Sequence, residues 1–176
     1  MTFTGLTDDQ VRELGRLSRL YYREAQRCEE GRAYLAGSIV LGSAFEALLM
    51  LMVDAHPDEA IQTGKVPTRN KQPRPLIEWD LSQLIAIAKE AGWLPYRLKA
   101  GHPWDGRKAK IGDYAEVTRM IRNLVHPGNY AREHSPSRVT AKYLSRQFEI
   151  VDLCRDWLAA HATMKLRQDL ATEGVL

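Results

Sequence analysis

As a string of apolar and polar positions, the chain has helical periodicity almost throughout. Thr7 followed three residues later by Gln10 has the form of a capping box. Leu14, Leu17, Tyr21 and Cys28 then continue an apolar stripe, so a first amphipathic helix is predicted, closed by Gly31. The second predicted helix, roughly 32–55, is the most apolar stretch, and between Ala33 and Val53 its only charged residue is Glu46. Such a length spans a bilayer, but no basic flank or aromatic belt accompanies it and the other predicted helices are amphipathic. The pattern therefore predicts a central core helix. Small residues at Ala36, Gly37, Ser43, Ala44 and Ala47 are expected to let neighbouring helices approach closely.

Periodicity lapses at residues 56–77, "HPDEAIQTGKVPTRNKQPRPLI", which hold four prolines and read as a long irregular connection. Asp80 then caps a short helix, "LSQLIAIAKEAG", ended by Gly92, and a second irregular stretch follows. Another helix is expected from about Asp113 to His126. Ser135 with Pro136 reads as the N-cap and first residue of a last long helix. That helix is expected to run to about Lys165 with Val139, Tyr143, Ile150, Val151, Cys154, Trp157 and Leu158 facing inward. The predicted architecture is all-α: one domain over residues 1–176, an antiparallel bundle of about four long helices plus one short helix. Irregular basic loops are expected at 56–78 and 93–112, and a flexible tail at 168–176. No strand pattern, internal repeat or low-complexity tract competes.

Composition narrows this only modestly. With 176 residues, 44% hydrophobic and 27% charged, the chain is long and apolar enough for one real core and does not read as disordered. The net charge of +3 is unevenly spread: residues 61–110 carry ten Lys/Arg against four Asp/Glu, a balance compatible with either a polyanionic partner or a solvated basic loop. Cys28 and Cys154 lie far apart in the chain without metal or redox spacing, and are expected to be small core hydrophobes of a reduced, cytoplasmic protein. The segment "MTFTGLTDDQ" has no signal-peptide pattern. His56, His102, His134 and His161 are scattered without metal-ligand spacing, and there is no Gly-rich phosphate loop or serine-nucleophile motif. No metal, no other cofactor and no membrane partner are expected.

The most informative stretch is "RMIRNLVHPGNY", 119–130. At about 100° per residue, His126 returns to within about 20° of Arg119, with Arg122 about 60° to one side and Asn123 about 40° to the other. Tyr114, Val117, Met120, Ile121, Leu124 and Val125 cluster on the opposite side. An amphipathic helix always has a polar face, but no acidic residue lies among positions 119–126 to pair with these arginines. Pro127 ends the helix and leaves His126 in its last turn, where the negative end of the macrodipole favours the imidazolium. Arginine with histidine is a sufficient set for cutting RNA without a metal. The imidazole moves a proton at the 2′-OH or the leaving oxygen, and the guanidinium grips the scissile phosphate with two hydrogen bonds.

At these residues the chain resembles the HEPN superfamily, small helical bundles marked by an Arg, four to six residues, then a His near the end of one helix. Arg119 to His126 has six intervening residues, and "RNLVHPG" is similar to the family's strings. The helix "AGSIVLGSAFEALLMLMV" looks like the family's first core helix, including its lone Glu46. Two arginines compete for the motif position. Arg122-Asn123 has the family's Arg-polar form but leaves only three residues before His126, whereas Arg119 has the spacing but is followed by Met120. The tyrosine often found two positions after the histidine is Gly128 here, and Tyr130 lies four after it.

The resemblance implies a metal-independent endoribonuclease of toxin or defence type, or a non-catalytic module binding RNA, a nucleotide or a partner protein. In the first case His126 transfers the proton, Arg119 or Arg122 holds the phosphate, and Asn123 orients one or the other. Glu46 and Tyr130 support them, Glu46 either by fixing an arginine or by a purely structural ion pair. Lys65, Arg69, Lys71, Arg74, Arg107, Lys108 and Lys110 are expected to attract the RNA backbone. A homodimer is implied, with a cognate antitoxin or defence-system protein as a further partner. Trp79, Trp93 and Trp104 read either as base-stacking platforms or as core and hinge packing.

Overall fold

The computed structural model describes residues 2–94 and 139–172. They are all-α apart from one two-residue hairpin: α1 (Asp8–Glu30), α2 (Tyr34–Ala55), α3 (Pro57–Gln62), α4 (Leu81–Glu90) and α5 (Ala141–Thr172).

Local chemistry sets the ends of these helices. The capping box at α1 is reciprocal: the Thr7 hydroxyl accepts from the Gln10 amide at 3.3 Å, and the Gln10 side chain accepts from the Thr7 amide at 2.9 Å. Asp8 and Asp9 follow at the positive end of the helix dipole. Asp80 and Gln83 make the same box at the start of α4. At the far end of α1 the Arg32 amide donates to Glu29 O at 3.0 Å and the Ala33 amide to Cys28 O at 2.8 Å, a Schellman closure. The left-handed residue this closure needs is Arg32, at φ 58°, and not Gly31, whose φ is −77°. At the end of α4 the same pair of bonds places a glycine, Gly92 at φ 74°, where it belongs. Arg32→Gly is therefore expected to stabilise the protein by about 1 kcal/mol, because glycine relieves the Cβ–carbonyl crowding of the left-handed region. A thermal melt should register this as a rise of roughly 2–4 °C.

α2 is the core helix. It is long and apolar enough to cross a membrane, yet most of its apolar window is buried inside the protein. Leu41, Phe45, Leu49 and Val53, spaced one turn apart, are fully buried. α1 lies antiparallel to α2: Cys28 and Ala25 approach Gly37, the Ser18 hydroxyl donates to Ala44 O, and the Leu6 amide donates to Asp54 Oδ1 at 2.7 Å. Contacts along α5 run in the opposite order. Leu144 meets Gly37, Tyr22 meets Phe148 and Asp152, and His161 reaches Glu59 just beyond α2. α5 therefore runs parallel to α2 and antiparallel to α1. Of the small residues on α2, Gly37, Ala44 and Ala47 are buried, whereas Ala36 is exposed.

Four expectations need correction. The last helix does not stop at about Lys165 ahead of a tail at 168–176: α5 continues to Thr172, so 168–172 are helical, and 173–176 lie outside the described residues. Residues 56–78 are not irregular: they contain α3, antiparallel strands β1 (Thr68–Arg69) and β2 (Gln72–Pro73), and a 3-10 turn (Leu76–Glu78). Pro57 starts α3 as an N-terminal proline does. Asn70 and Lys71, at φ 53° and 65°, form the two-residue turn of the primed type that joins short antiparallel strands. Elements this short leave no periodicity to detect. The segment is also held in place, since the Leu76 amide donates to Thr4 O at 2.9 Å and Phe3 packs on Trp79.

On α5, Ile150, Val151, Cys154 and Leu158 face inward as expected, but Tyr143 and Trp157 are each 38% exposed. The buried line instead begins with Leu144 and Gln147. α1 is the expected amphipathic helix, with Leu14, Leu17 and Tyr21 half-buried along its stripe and Ala25 fully enclosed, but Cys28, expected in the core, is only half-buried.

Gln147 is 1% exposed, and among the described residues neither its amide nitrogen nor its oxygen has a hydrogen-bond partner. An unsatisfied buried amide costs about 1–3 kcal/mol. Gln147→Leu, close in volume, is expected to raise the urea midpoint by a corresponding amount.

Candidate functional site

The Arg/His line (Arg119, Arg122, Asn123, His126), with Tyr130, Trp104, Arg107, Lys108 and Lys110, lies outside the described residues, as do the expected helix at 113–126 and the cap at Ser135-Pro136. The remaining expected site residues are described. Glu46 sits half-buried midway along α2. Lys65, Arg69 and Lys71 are exposed on and before the hairpin. Arg74 is half-buried and held to Glu78, by a side-chain ion pair at 3.5 Å and a hydrogen bond to the Glu78 carbonyl. Trp79 and Trp93 are 2% and 1% exposed, so neither offers a face for base stacking. Cys154 is fully buried and its surroundings push its thiol far up, leaving it inert; Cys28 is half-buried.

Two groupings emerge that the linear pattern does not reveal. The first is an open concavity of about 370 Å³ where α1 meets α5, lined by Ser18, Arg19, Tyr22, Arg23 and Arg155. The Tyr22 hydroxyl donates to Asp152 at 2.7 Å, and burial together with that carboxylate pushes the phenol up to about 12. Arg155 pairs with Asp152 at 3.2 Å and lies over the Tyr22 ring.

The second grouping joins three elements. His56 stands at the corner between α2 and α3, Glu59 one turn into α3, and His161 on α5, 102 positions from Glu59. His161 Nε2 lies 2.9 Å from Glu59 Oε2, and the Trp93 indole N–H donates to the same oxygen at 2.7 Å. His56 Nδ1 lies 4.0 Å from Glu59 Oε1. The rings of His56 and His161 meet edge to face at 5.4 Å, and Trp93 walls off one side. Burial pushes the Glu59 carboxyl up, but the Trp93 N–H and the two histidines outweigh it and hold the group below the usual carboxylate range. The cluster is open on the side of Glu59 and His161, each 27% exposed, whereas the His56 side chain is 9% exposed. One donor atom from each of the three residues falls within 4.8 Å of the others.

Of the four histidines expected to be scattered, His56 and His161 are thus brought together, while His102 and His134 lie outside the described residues. "HPDE" carries a His-x-x-Glu pair one helical turn apart, a signal legible in the sequence, but nothing along the chain points from it to His161.

Fold and site together define an all-α protein with a core-spanning α2 and a histidine–carboxylate cluster at one end of it. Comparison with protein-family models, curated proteins and solved structures finds no match.

Proposed function

We propose that the chain is a metal-independent endoribonuclease of the HEPN type, acting as a homodimer alongside an antitoxin or another defence-system protein. The observation that carries this reading is the line Arg119, Arg122, Asn123 and His126, free of acidic residues and stopped at the histidine by Pro127. His126 moves the proton at the 2′-OH or the leaving oxygen, and Arg119 or Arg122 holds the scissile phosphate. Asn123 orients them, with Glu46 and Tyr130 in support. The buried apolar α2 is in keeping with the core helix of such a bundle. Exposed Lys65, Arg69 and Lys71, and the arginine-lined concavity between α1 and α5, supply positive charge for an RNA backbone.

A non-catalytic module binding RNA, a nucleotide or a partner protein is the second reading. It is favoured by the three-residue gap between Arg122 and His126 and by Gly128 in the tyrosine position. Incubating purified protein with single-stranded RNA in EDTA separates the two. Cleavage that persists in the chelator supports the ribonuclease. Intact RNA across a range of sequences, with retained binding in a gel shift, supports the module.

A further inference from the structure

We infer that His56, Glu59 and His161 bind a first-row divalent transition ion of the zinc class, which fastens α5 to the α2–α3 corner. Three features of the cluster lead there. The donor set, two imidazoles and one carboxylate, suits zinc and its neighbours rather than magnesium or calcium, which prefer all-oxygen sites.

The geometry is close to what such an ion needs. Metal–ligand bonds of about 2.0–2.2 Å in a tetrahedral site place donor atoms roughly 3.3–3.5 Å apart. Here the His161–Glu59 pair is at 2.9 Å and all three donors fall within 4.8 Å, so side-chain shifts of an ångström or so close the site. An ion would take the place of the proton shared between His161 Nε2 and Glu59 Oε2. Water, admitted through the exposed edges of Glu59 and His161, would fill the fourth position.

The third feature is the support around the ligands. The Trp93 indole N–H already fixes the Glu59 carboxylate from outside the donor set, the role that outer hydrogen-bond donors play at metal sites. The ligands also come from three elements, two adjacent in sequence and one far away. Binding there therefore stabilises the tertiary arrangement itself and needs no part in RNA chemistry. This inference is independent of the ribonuclease reading.

Full-length protein stripped with EDTA and desalted is titrated with cobalt(II), followed by visible absorption, and the cobalt is then displaced with zinc. One saturable equivalent with ligand-field bands, lost on zinc addition, is the expected result. At free zinc 100-fold above the dissociation constant, the melting temperature rises by roughly 5–10 °C. Glu59→Gln and His161→Gln retain side-chain bulk and hydrogen-bonding capacity, and each is expected to weaken binding at least tenfold and remove the zinc-dependent rise in melting temperature. Circular dichroism of the metal-free variants confirms folding, and His56→Asn serves if either fails. The inference is overturned by the absence of a saturable cobalt spectrum. It is equally overturned if folded variants bind as the parent does, which would assign the ion to other histidines.

Discussion

Gly37→Leu is expected to lower the melting temperature by about 10 °C or more. A Cβ at this position would lie 2.8 Å from Leu144 Cδ2, 3.0 Å from Cys28 Cβ and 3.3 Å from the Ala25 carbonyl oxygen. Three helices thus meet over one missing side chain. Leu144 is fully buried, Cys28 Cβ sits at the root of its side chain, and the Ala25 carbonyl is backbone that moves only with α1. Overpacking a tight core costs typically about 1–3 kcal/mol and more when several atoms are added. A chain of this size loses roughly 2–4 °C for each kcal/mol. Gly37→Ala is expected to show a smaller net loss, because alanine recovers about 1 kcal/mol of helix propensity. Ala36→Leu, one residue away but exposed, should leave the melt within about 2 °C. A Gly37→Leu protein melting with the parent would show that α1, α2 and α5 do not cross at this point.

On the proposed ribonuclease reading, His126→Ala is expected to reduce RNA cleavage by about 10²–10⁴-fold, the range lost when a general acid–base group is removed. Because the residue belongs to the polar line of a helix predicted from the sequence alone, the melting temperature should stay that of the parent. The competing arginines give the sharper comparison. If Arg119 is the motif residue, Arg119→Ala abolishes cleavage and Arg122→Ala mainly weakens RNA affinity; the reverse pattern assigns the role to Arg122. Single-turnover rates measured with RNA in excess over its dissociation constant keep the two effects apart. Cleavage undiminished in His126→Ala would exclude this histidine from the chemistry.

What can be read from the chain depends on the range of the interactions involved. Both capping boxes follow from side chains three residues apart, so Thr7/Gln10 and Asp80/Gln83 are legible directly. The role of α2 is legible because an apolar run broken only by Glu46, with no basic flank or aromatic belt, points to the core rather than to a bilayer. The hairpin at 68–73 escapes a search for periodicity, although Asn70 at a left-handed position is a turn signal, because two-residue strands have no alternation. Hydrophobicity alone points Tyr143 and Trp157 inward. Their exposure reflects the rotation of α5, which Leu144 fixes by packing against Gly37, a contact between residues more than a hundred positions apart.

The candidate chemistry divides along the same line. The Arg119–His126 line is a property of one predicted helix and its terminating proline, so angle counting finds it without any tertiary information. The histidine–carboxylate cluster is not of that kind. His56 and Glu59 are neighbours in sequence, but their third member arrives only because α5 runs parallel to α2 and ends its buried course beside the α2–α3 corner.

Periodicity, apolar content and capping act within a turn or two of the chain, and so they convey the helical class, the central helix and the capped starts of α1 and α4. Tertiary structure alone decided the direction of α5, the glycine crossing at position 37 and the meeting of His56, Glu59 and His161. Those depend on how whole helices bury their surfaces against one another, and no local pattern encodes that.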